Sequence, residues 1–385
     1  MKKIQDIFKF CGWMFLKNEN LSKNIKKAII SIMICRTIKM GRRLSHCDDC
    51  GYEEYSYCSC RNRNCPLCQT FAKEKWIALR STELLNTKYF HIVFTLPHKL
   101  NEIVRYNQNL MYNILFQSVS ETLLQLGYQG KHVGGQIGAI LVLHTWCQKL
   151  LLHPHIHCIV PGGGLINGQW VKCKKDIFIH VNVLSAVFRG KFLEKFEALY
   201  KSGKLEFPNE IKSVYTEEKF EEIKNTLKSE SWYVYNKKVF STPKAVIEYL
   251  GRYTHKVAIT NSRIVKFENG NVTFKYRDNK DDGKEKEMTI SAQEFVYRFL
   301  QHILPTGCQK IRYIGIHSNR NKNTKLKLCQ TLTQVIKNTE NFAEITTEKI
   351  LEKMTKGKYN ICPNCNGKNF HLVGIVKPKV LINTT

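Results

Sequence analysis

The sequence predicts an α+β protein in which helices flank an antiparallel sheet. Apolar residues recur at helical spacing within residues 4–40 and 101–126. Runs rich in β-branched and aromatic residues at 89–96 and 138–146 predict strands instead. The short connector 147–149 leads from the second of these strands into a third one. Strands joined so closely form an antiparallel hairpin, because a parallel pair needs a much longer crossover.

The net charge is the most unusual property of the composition. The 385 residues include 60 Lys and Arg against 32 Asp and Glu, a formal net charge of +28. This length allows two or three domains with sizeable cores. A folded chain with basic residues along its whole length is typical of proteins that bind a polyanion, and nucleic acid is the first candidate. A membrane surface is the alternative, but no lipidation motif supports it.

The cellular compartment is predicted from the cysteines and from the apolar runs. No run is long enough to cross a membrane, and the start, Met-Lys-Lys-Ile-Gln-Asp, does not resemble a signal peptide. Several of the 15 cysteines occur as Cys-x-x-Cys pairs, which in a long basic chain indicate metal binding inside the cell. We therefore expect a cytoplasmic protein.

Two cysteine pairs follow the basic N-terminal helical region. Cys47 and Cys50 form the first pair, and Cys65 and Cys68 form the second, about 14 residues further on. This spacing predicts one zinc site made by these four thiolates, and a closed four-ligand site is structural. Further ligand candidates in the segment are His46, Cys58 and Cys60. A reading as disulfides or buried thiols fits the paired spacing poorly.

A third pair, Cys362 and Cys365, stands alone near the C-terminus. It could bind a metal together with His371, but by itself it is half of a site.

A His-x-His strand is the centre of the predicted active site. His155 and His157 flank Ile156, so on a strand both imidazoles point to one face while Ile156 points to the core. Two imidazoles make half of a metal site. If the preceding strand pairs with this one, Gln148 or His144 could lie beside them. A histidine on so apolar a strand as that of His144 is more often a core residue than a ligand.

Two tyrosines suggest the chemistry. Tyr249 and Tyr253 are four apart on a predicted helix and share one face, with Arg252 and Lys256 nearby. A tyrosine oxygen can attack a DNA phosphodiester and keep the 5′ phosphate as a covalent ester. A divalent metal on His155 and His157 would polarise that phosphate. Each feature alone is more often packing or surface, and the combination in one basic chain is what favours phosphoryl transfer.

Several stretches together carry a resemblance to a known family. They are Cys47-Asp-Asp-Cys50-Gly51, Ser59–Cys68, Tyr89–His98, Leu143–Trp146, His153–His157 with Pro161–Gly164, Tyr249–His255 and Leu304–Gly307. Over roughly residues 40–320 the chain resembles the transposases of the insertion sequence ninety-one family, two-tyrosine rolling-circle transposases of the HUH (His-hydrophobe-His) class. The resemblance covers these motifs in the family's order.

The resemblance implies an N-terminal helical and zinc-binding module followed by an HUH nuclease domain. It implies Tyr249 and Tyr253 as nucleophiles, and a catalytic Mg²⁺ or Mn²⁺ on His155, His157 and a third ligand. By position Gln148 is the preferred third ligand and His144 the second choice. Arg252 and Lys256 would contact DNA phosphates. The expected boundaries are 1–45 (basic helices), 46–88 (zinc module), 89–320 (HUH domain) and 321–385 (basic C-terminal segment).

The implied activity is DNA transposition: nicking and rejoining of single-stranded element ends and target DNA through 5′-phosphotyrosine intermediates, in association with the bacterial nucleoid. Two alternatives stay open. A replication initiator or relaxase would use the same chemistry, although the cysteine pairs and the tyrosine spacing favour a transposase. A zinc-dependent DNA-binding protein would lack catalysis altogether.

Overall fold

The computed structural model describes residues 3–173, 178–208, 215–240, 245–246, 249, 251, 254–255, 258–278, 281–335 and 345–377. The α-helices with defined bounds are α1 (Ile4–Leu16), α2 (Lys23–Ile34), α3 (Gln69–Ser81), α4 (Asn101–Tyr106), α5 (Gln108–Tyr128), α6 (Val181–Lys201), α7 (Glu217–Ser229), α8 (Ala292–Leu300), α9 (Lys327–Leu332) and α10 (Thr347–Met354). The strands are β1 (Arg42–Cys47), β2 (Glu53–Tyr57), β3 (Tyr89–Thr95), β4 (Gly138–Trp146), β5 (Leu152–Pro161), β6 (Gly163–Ile166), β7 (Gln169–Lys172), β8 (Val234–Phe240), β9 (Ile264–Glu268), β10 (Asn271–Asp278), β11 (Lys284–Ser291), β12 (Ile311–Gly315) and β13 (Phe370–Val376).

A five-stranded sheet forms the centre of the fold. Its strand order is β12-β4-β5-β3-β8, and every neighbouring pair is antiparallel. β4 and β5 form the hairpin that the short connector predicts. The α+β class with an antiparallel sheet and flanking helices is therefore confirmed. Within the described residues, no helix has the length and apolar character needed to cross a membrane.

The two faces of this sheet have different roles because side chains alternate along each strand. On the inner face, Phe90, Ile92 and Phe94 of β3 and Ile156 of β5 are fully buried and belong to the main apolar cluster. Helices α5 and α6 supply the other side of that core. The outer face carries a smaller apolar cluster, to which α3 contributes Trp76 and Ile77 and residue Val246 also belongs. The histidines of the sheet lie on this outer face.

A second core joins the N-terminal helices to the three-stranded sheet β11-β10-β9. Buried residues of α1 and α2 pack in one cluster with α8 and with Phe274 of β10. The rings of Phe8 and Phe299 meet edge to face with centroids 5.2 Å apart. Asn269 and Gly270 both adopt positive φ between β9 and β10, the hairpin turn that the Asn-Gly pair predicts. The basic helices thus belong to the folded body.

A third sheet brings the two ends of the chain together. Its order is β13-β1-β2, so the C-terminal strand pairs with β1 near the N-terminus. The antiparallel register runs from Arg42 opposite Val376 to Cys47 opposite Phe370. This pairing places the Cys-x-x-Cys segment that precedes β13 next to the one that follows β1.

Buried neutral histidines make the fold sensitive to acid. His302 is fully enclosed between the Thr145 hydroxyl and the Leu150 carbonyl, and burial lowers its pKa to about 4. An unfolded histidine titrates near 6.5, so as the pH falls from 6.5 towards 4 the unfolded chain takes up a proton that the folded chain refuses. We expect the free energy of unfolding to lose about 3 kcal/mol over this window through His302 alone.

Urea unfolding of the wild type and of His302→Gln between pH 7.5 and 4.5 measures this loss. The wild type should be destabilised by acid more steeply than the variant. A difference between the two proteins that stays constant across the window would contradict the prediction.

Candidate active site and metal centres

Three histidines meet on the outer face of the central sheet. His155 and His157 lie on β5, and His144 on β4 stands directly opposite His155 in the antiparallel register. One ring nitrogen from each of the three lies within 4.8 Å of the others. His144 and His157 are buried and His155 is half-buried. The structure thus places the His-x-His pair as the sequence predicts and adds His144 to it.

Gln148, the preferred third ligand, is not brought to this cluster. β4 ends at Trp146, so Gln148 lies beyond the strand in the connecting turn, where it is exposed. Its carbonyl oxygen accepts a hydrogen bond of 2.6 Å from the Arg263 guanidinium. The residue beside His155 is instead His144. By sequence, His144 is the second choice as a ligand, and its apolar strand favours a core residue. This corrects the predicted ligand set. The register of β4 against β5, and not the distance along the chain, decides which side chain lies opposite His155.

Hydrogen-bond contacts engage the Nδ1 atom of each β5 histidine. His155 Nδ1 donates to the carbonyl oxygen of His153 over 2.6 Å. His157 Nδ1 lies 2.8 Å from His91 Nε2. A histidine whose Nδ1 is engaged in this way binds a metal through Nε2. Burial lowers the pKa of His155 to about 4 and that of His157 well below its usual value. Both imidazoles are therefore uncharged at neutral pH, the form that binds a metal.

His91 connects the cluster to Tyr249. Its ring is nearly parallel to that of His157 with centroids 5.1 Å apart, and its Nδ1 lies 3.5 Å from the Tyr249 hydroxyl. The rings of His91 and Tyr249 meet edge to face at 5.3 Å. Sequence reasoning gave His91 no role. The signal was present, because His91 alternates with the core residues Phe90 and Ile92 on a strand and so must face the other way.

Gly251, two residues after Tyr249, lies directly against α3. A Cβ at Gly251 would lie 2.3 Å from Ile77 Cδ1, so only glycine permits this approach. The helical segment of Tyr249 therefore packs against the outer face of the sheet, with Val246 in the same cluster as Ile77. The predicted second nucleophile, Tyr253, and the predicted phosphate contacts, Arg252 and Lys256, lie outside the described residues.

A cavity with a cationic wall opens close to the cluster. Its lining includes Lys310, His255 and Arg63 together with Trp146 of β4. Burial, together with the charges of Lys310 and Lys73, lowers the pKa of His255 to about 4. The imidazole of His255 is therefore neutral at neutral pH. The positive charges of Lys310 and Arg63 in the cavity wall would attract a phosphate.

The cysteines form two clusters and do not form the single site predicted from Cys47, Cys50, Cys65 and Cys68. Cys65 and Cys68 group with Cys35 and Cys60, whereas Cys47 and Cys50 group with Cys362 and Cys365. In the first cluster, the Cys68 sulfur lies 3.6 Å from those of Cys35 and Cys60. The second pairs Cys47 with Cys365 and Cys50 with Cys362, each over 3.7 Å.

The correction has a simple cause in the chain path. Cys47 closes β1, and the hairpin through β2 then carries the chain away before Cys60 is reached. The loop of Cys60–Cys68 returns to the end of α2, where Cys35 is the first residue after the helix. Cys60, a spare candidate in the sequence, becomes a member of the first cluster, whereas Cys58 and His46 remain outside both.

Comparison with known proteins finds similarity to transposases in both family models and relatives. The family model described as "Putative transposase" matches residues 138–325, and the one described as "Transposase zinc-binding domain" matches residues 7–96. A protein named "Putative transposase y4qJ" from Sinorhizobium fredii (strain NBRC 101917 / NGR234) is 39% identical over 369 residues, covering 94% of this chain and 93% of its own length. The "Transposase for insertion sequence element IS801" of Pseudomonas savastanoi pv. phaseolicola is 28% identical over 314 residues, covering 80% and 74%. No solved structure matches the chain.

Proposed function

Because the chain belongs to the insertion sequence ninety-one family of transposases, whose function is DNA transposition, we propose that it nicks and rejoins single-stranded DNA through 5′-phosphotyrosine intermediates. The observation that carries the proposal is the contact of Tyr249 with His91, which itself contacts the histidine cluster. The proposed nucleophile and the three histidines that could bind a metal therefore lie at the same face of the central sheet. The net charge of +28 suits a polyanionic substrate.

The reaction begins with attack by a tyrosine oxygen on the scissile phosphate. The bond between the oxygen and phosphorus forms while the bond to the 3′ oxygen breaks, so the 5′ phosphate stays on the protein and a 3′ hydroxyl is freed. The phenol loses its proton and the departing oxygen gains one. Strand transfer reverses these steps at the target.

The histidine cluster is the proposed site of a catalytic divalent metal. His144, His155 and His157 would hold Mg²⁺ or Mn²⁺, which when bound polarises the scissile phosphate and offsets its charge. The donor set fits this assignment, since the two β5 imidazoles are neutral and each has its Nδ1 already engaged.

His91 is proposed to set the orientation of Tyr249. When His157 uses Nε2 as a ligand, its Nδ1 carries the proton and donates to His91 Nε2. His91 then carries its own proton on Nδ1, the atom that faces the Tyr249 oxygen. A donor in this position holds the tyrosine oxygen near the cluster and favours its charged form.

Other parts of the chain would support the reaction. Tyr253 is the proposed second nucleophile, which allows a further attack before the first end is released. Arg252 and Lys256 would hold phosphates near the tyrosines. The N-terminal helices and zinc module would bind the ends of the element, and residues 89–320 would form the nuclease domain.

A covalent adduct is the direct test of the proposal. The protein is incubated with single-stranded DNA from an element end in Mg²⁺ or Mn²⁺, and the mixture is resolved on a denaturing gel. We expect a labelled protein band from the wild type and none from Tyr249→Phe combined with Tyr253→Phe, because phenylalanine has no oxygen to form the ester.

Tyr235→Phe is the matched control, since Tyr235 also contacts His91, with ring centroids 6.0 Å apart, but comes from β8. This variant should keep the adduct. Absence of an adduct with the wild type would support a DNA-binding protein without catalysis, and an adduct with the double variant would show that the nucleophile lies elsewhere.

A further inference from the structure

We propose that Cys47, Cys50, Cys362 and Cys365 form a second zinc site, which fastens the C-terminal strand to the N-terminal sheet. Two of these ligands lie in the region matched by the zinc-binding family model, but residues 362–365 lie outside both matched regions. The inference is independent of the nuclease chemistry, because it concerns a different sheet and a different set of side chains.

The spacing of the four sulfurs fits a tetrahedral zinc ion. All four lie within 4.8 Å of one another, and two of the cross-pairs are each 3.7 Å apart. Zinc–sulfur bonds of about 2.3 Å in a tetrahedron place neighbouring sulfurs about 3.8 Å apart. A disulfide would need about 2.05 Å, so these pairs are not cross-linked to each other. Four thiolates with no open position make a structural site.

The two Cys-x-x-Cys segments have matching backbone conformations. The residue after the second cysteine has a positive φ in both, +70° at Gly51 and +59° at Asn366. The Gly51 N–H donates to the Cys47 carbonyl oxygen, and the Asn366 N–H donates to that of Cys362. Two segments far apart in the chain therefore fold into the same turn and face each other.

Backbone amides of the C-terminal segment point at its sulfurs. The Asn364 N–H lies 3.4 Å from the Cys362 sulfur, and the Gly367 N–H lies 3.3 Å from that of Cys365. The Asn364 side-chain amide also donates to the Cys50 sulfur over 3.6 Å. Such donors stabilise thiolates, the form that binds zinc.

The chain around the cluster is closely packed. A Cβ at Gly367 would lie 2.0 Å from a carboxylate oxygen of Asp49 and 3.1 Å from the Cys365 sulfur. The Asn369 side-chain amide donates to Asp49 over 2.7 Å, and the Asp48 N–H donates to the Asn369 carbonyl oxygen. His371, the ligand that the sequence offered for the lone pair, lies outside the cluster, with its Nδ1 3.6 Å from an Asp48 oxygen.

Counting zinc is the first test. Metal analysis of the purified full chain should give two zinc ions, one for each cysteine cluster. Replacing Cys362 and Cys365 with serine should leave one. Cys58→Ser is the matched control, because Cys58 lies in the same module but in neither cluster, and it should keep both ions.

Thiol alkylation tests the assignment residue by residue. Cys50 and Cys365 are exposed, so burial cannot protect them from a maleimide. Mass spectrometry should find both unmodified in the zinc-loaded protein and both modified after a strong chelator is added. Cys365→His provides a folded variant, since Cys3His also holds zinc, and it should retain two ions.

Several results would overturn the proposal. They are one zinc ion in the wild type, two in the serine double variant, or rapid modification of Cys50 and Cys365 before the chelator is added. If the serine variant loses all zinc by unfolding, the Cys365→His variant decides: two ions support the site, and one contradicts it.

Discussion

Replacing His155 and His157 together with alanine is expected to lower the rate of single-strand cleavage by more than about 1000-fold. The reason is that both imidazoles are neutral and are oriented by contacts at Nδ1, so the double change removes two of the three proposed metal ligands. Gel assays with a labelled oligonucleotide and Mn²⁺ or Mg²⁺ measure the rate. The dissociation constant for DNA should change by less than about threefold, because phosphate contacts and base stacking supply that affinity.

The same substitutions separate a catalytic role from a structural one. His98→Ala is the control, since His98 is exposed just beyond β3 and lies outside the cluster. It should cleave at the wild-type rate. If the double variant loses its DNA binding and its cooperative thermal transition together, the pair is structural, and if it folds and still cleaves at the control rate, the proposed metal site is wrong.

His144→Ala and Gln148→Ala are expected to have very different effects. Removing His144 takes away the side chain opposite His155, so the concentration of Mn²⁺ needed for half-maximal cleavage should rise by about 100-fold or more. Gln148 is exposed in the turn, and among the described residues only its carbonyl oxygen makes a hydrogen bond, so its alanine variant should match the wild type. Metal titration by calorimetry gives a readout that does not depend on catalysis. An equal loss in both variants, or a larger one in Gln148→Ala, would contradict the ligand set.

The strands of the active site could be predicted from the sequence because alternation is a local property. His155 and His157 share a face whatever the remainder of the chain does, and Ile156 must then point to the core. The third ligand depends on the register of β4 against β5. That register contains an irregularity between His144 and Trp146, which chain position alone does not reveal.

The cysteine ligand sets could not be predicted for a related reason. The pairs that begin at Cys47 and Cys65 follow each other in the sequence. Which cysteine pairs come together in space, however, depends on strand β13, which joins β1 from more than 300 residues away. Spacing identified the pairs as metal-binding segments, but it assigned the first two pairs to one site, and that grouping was wrong. Cys35 follows α2 as an isolated cysteine, so its membership in a cluster follows only from the path of the Cys60–Cys68 loop.

The nucleophile is expected to be a tyrosine of the pair Tyr249 and Tyr253. Proteolysis of the trapped protein–DNA adduct, followed by mass spectrometry of the nucleotide-bearing peptide, locates the modified side chain. We expect a 5′-phosphate ester on Tyr249 or Tyr253, and none on Tyr235, although Tyr235 also contacts His91. An ester on any other residue would contradict this assignment.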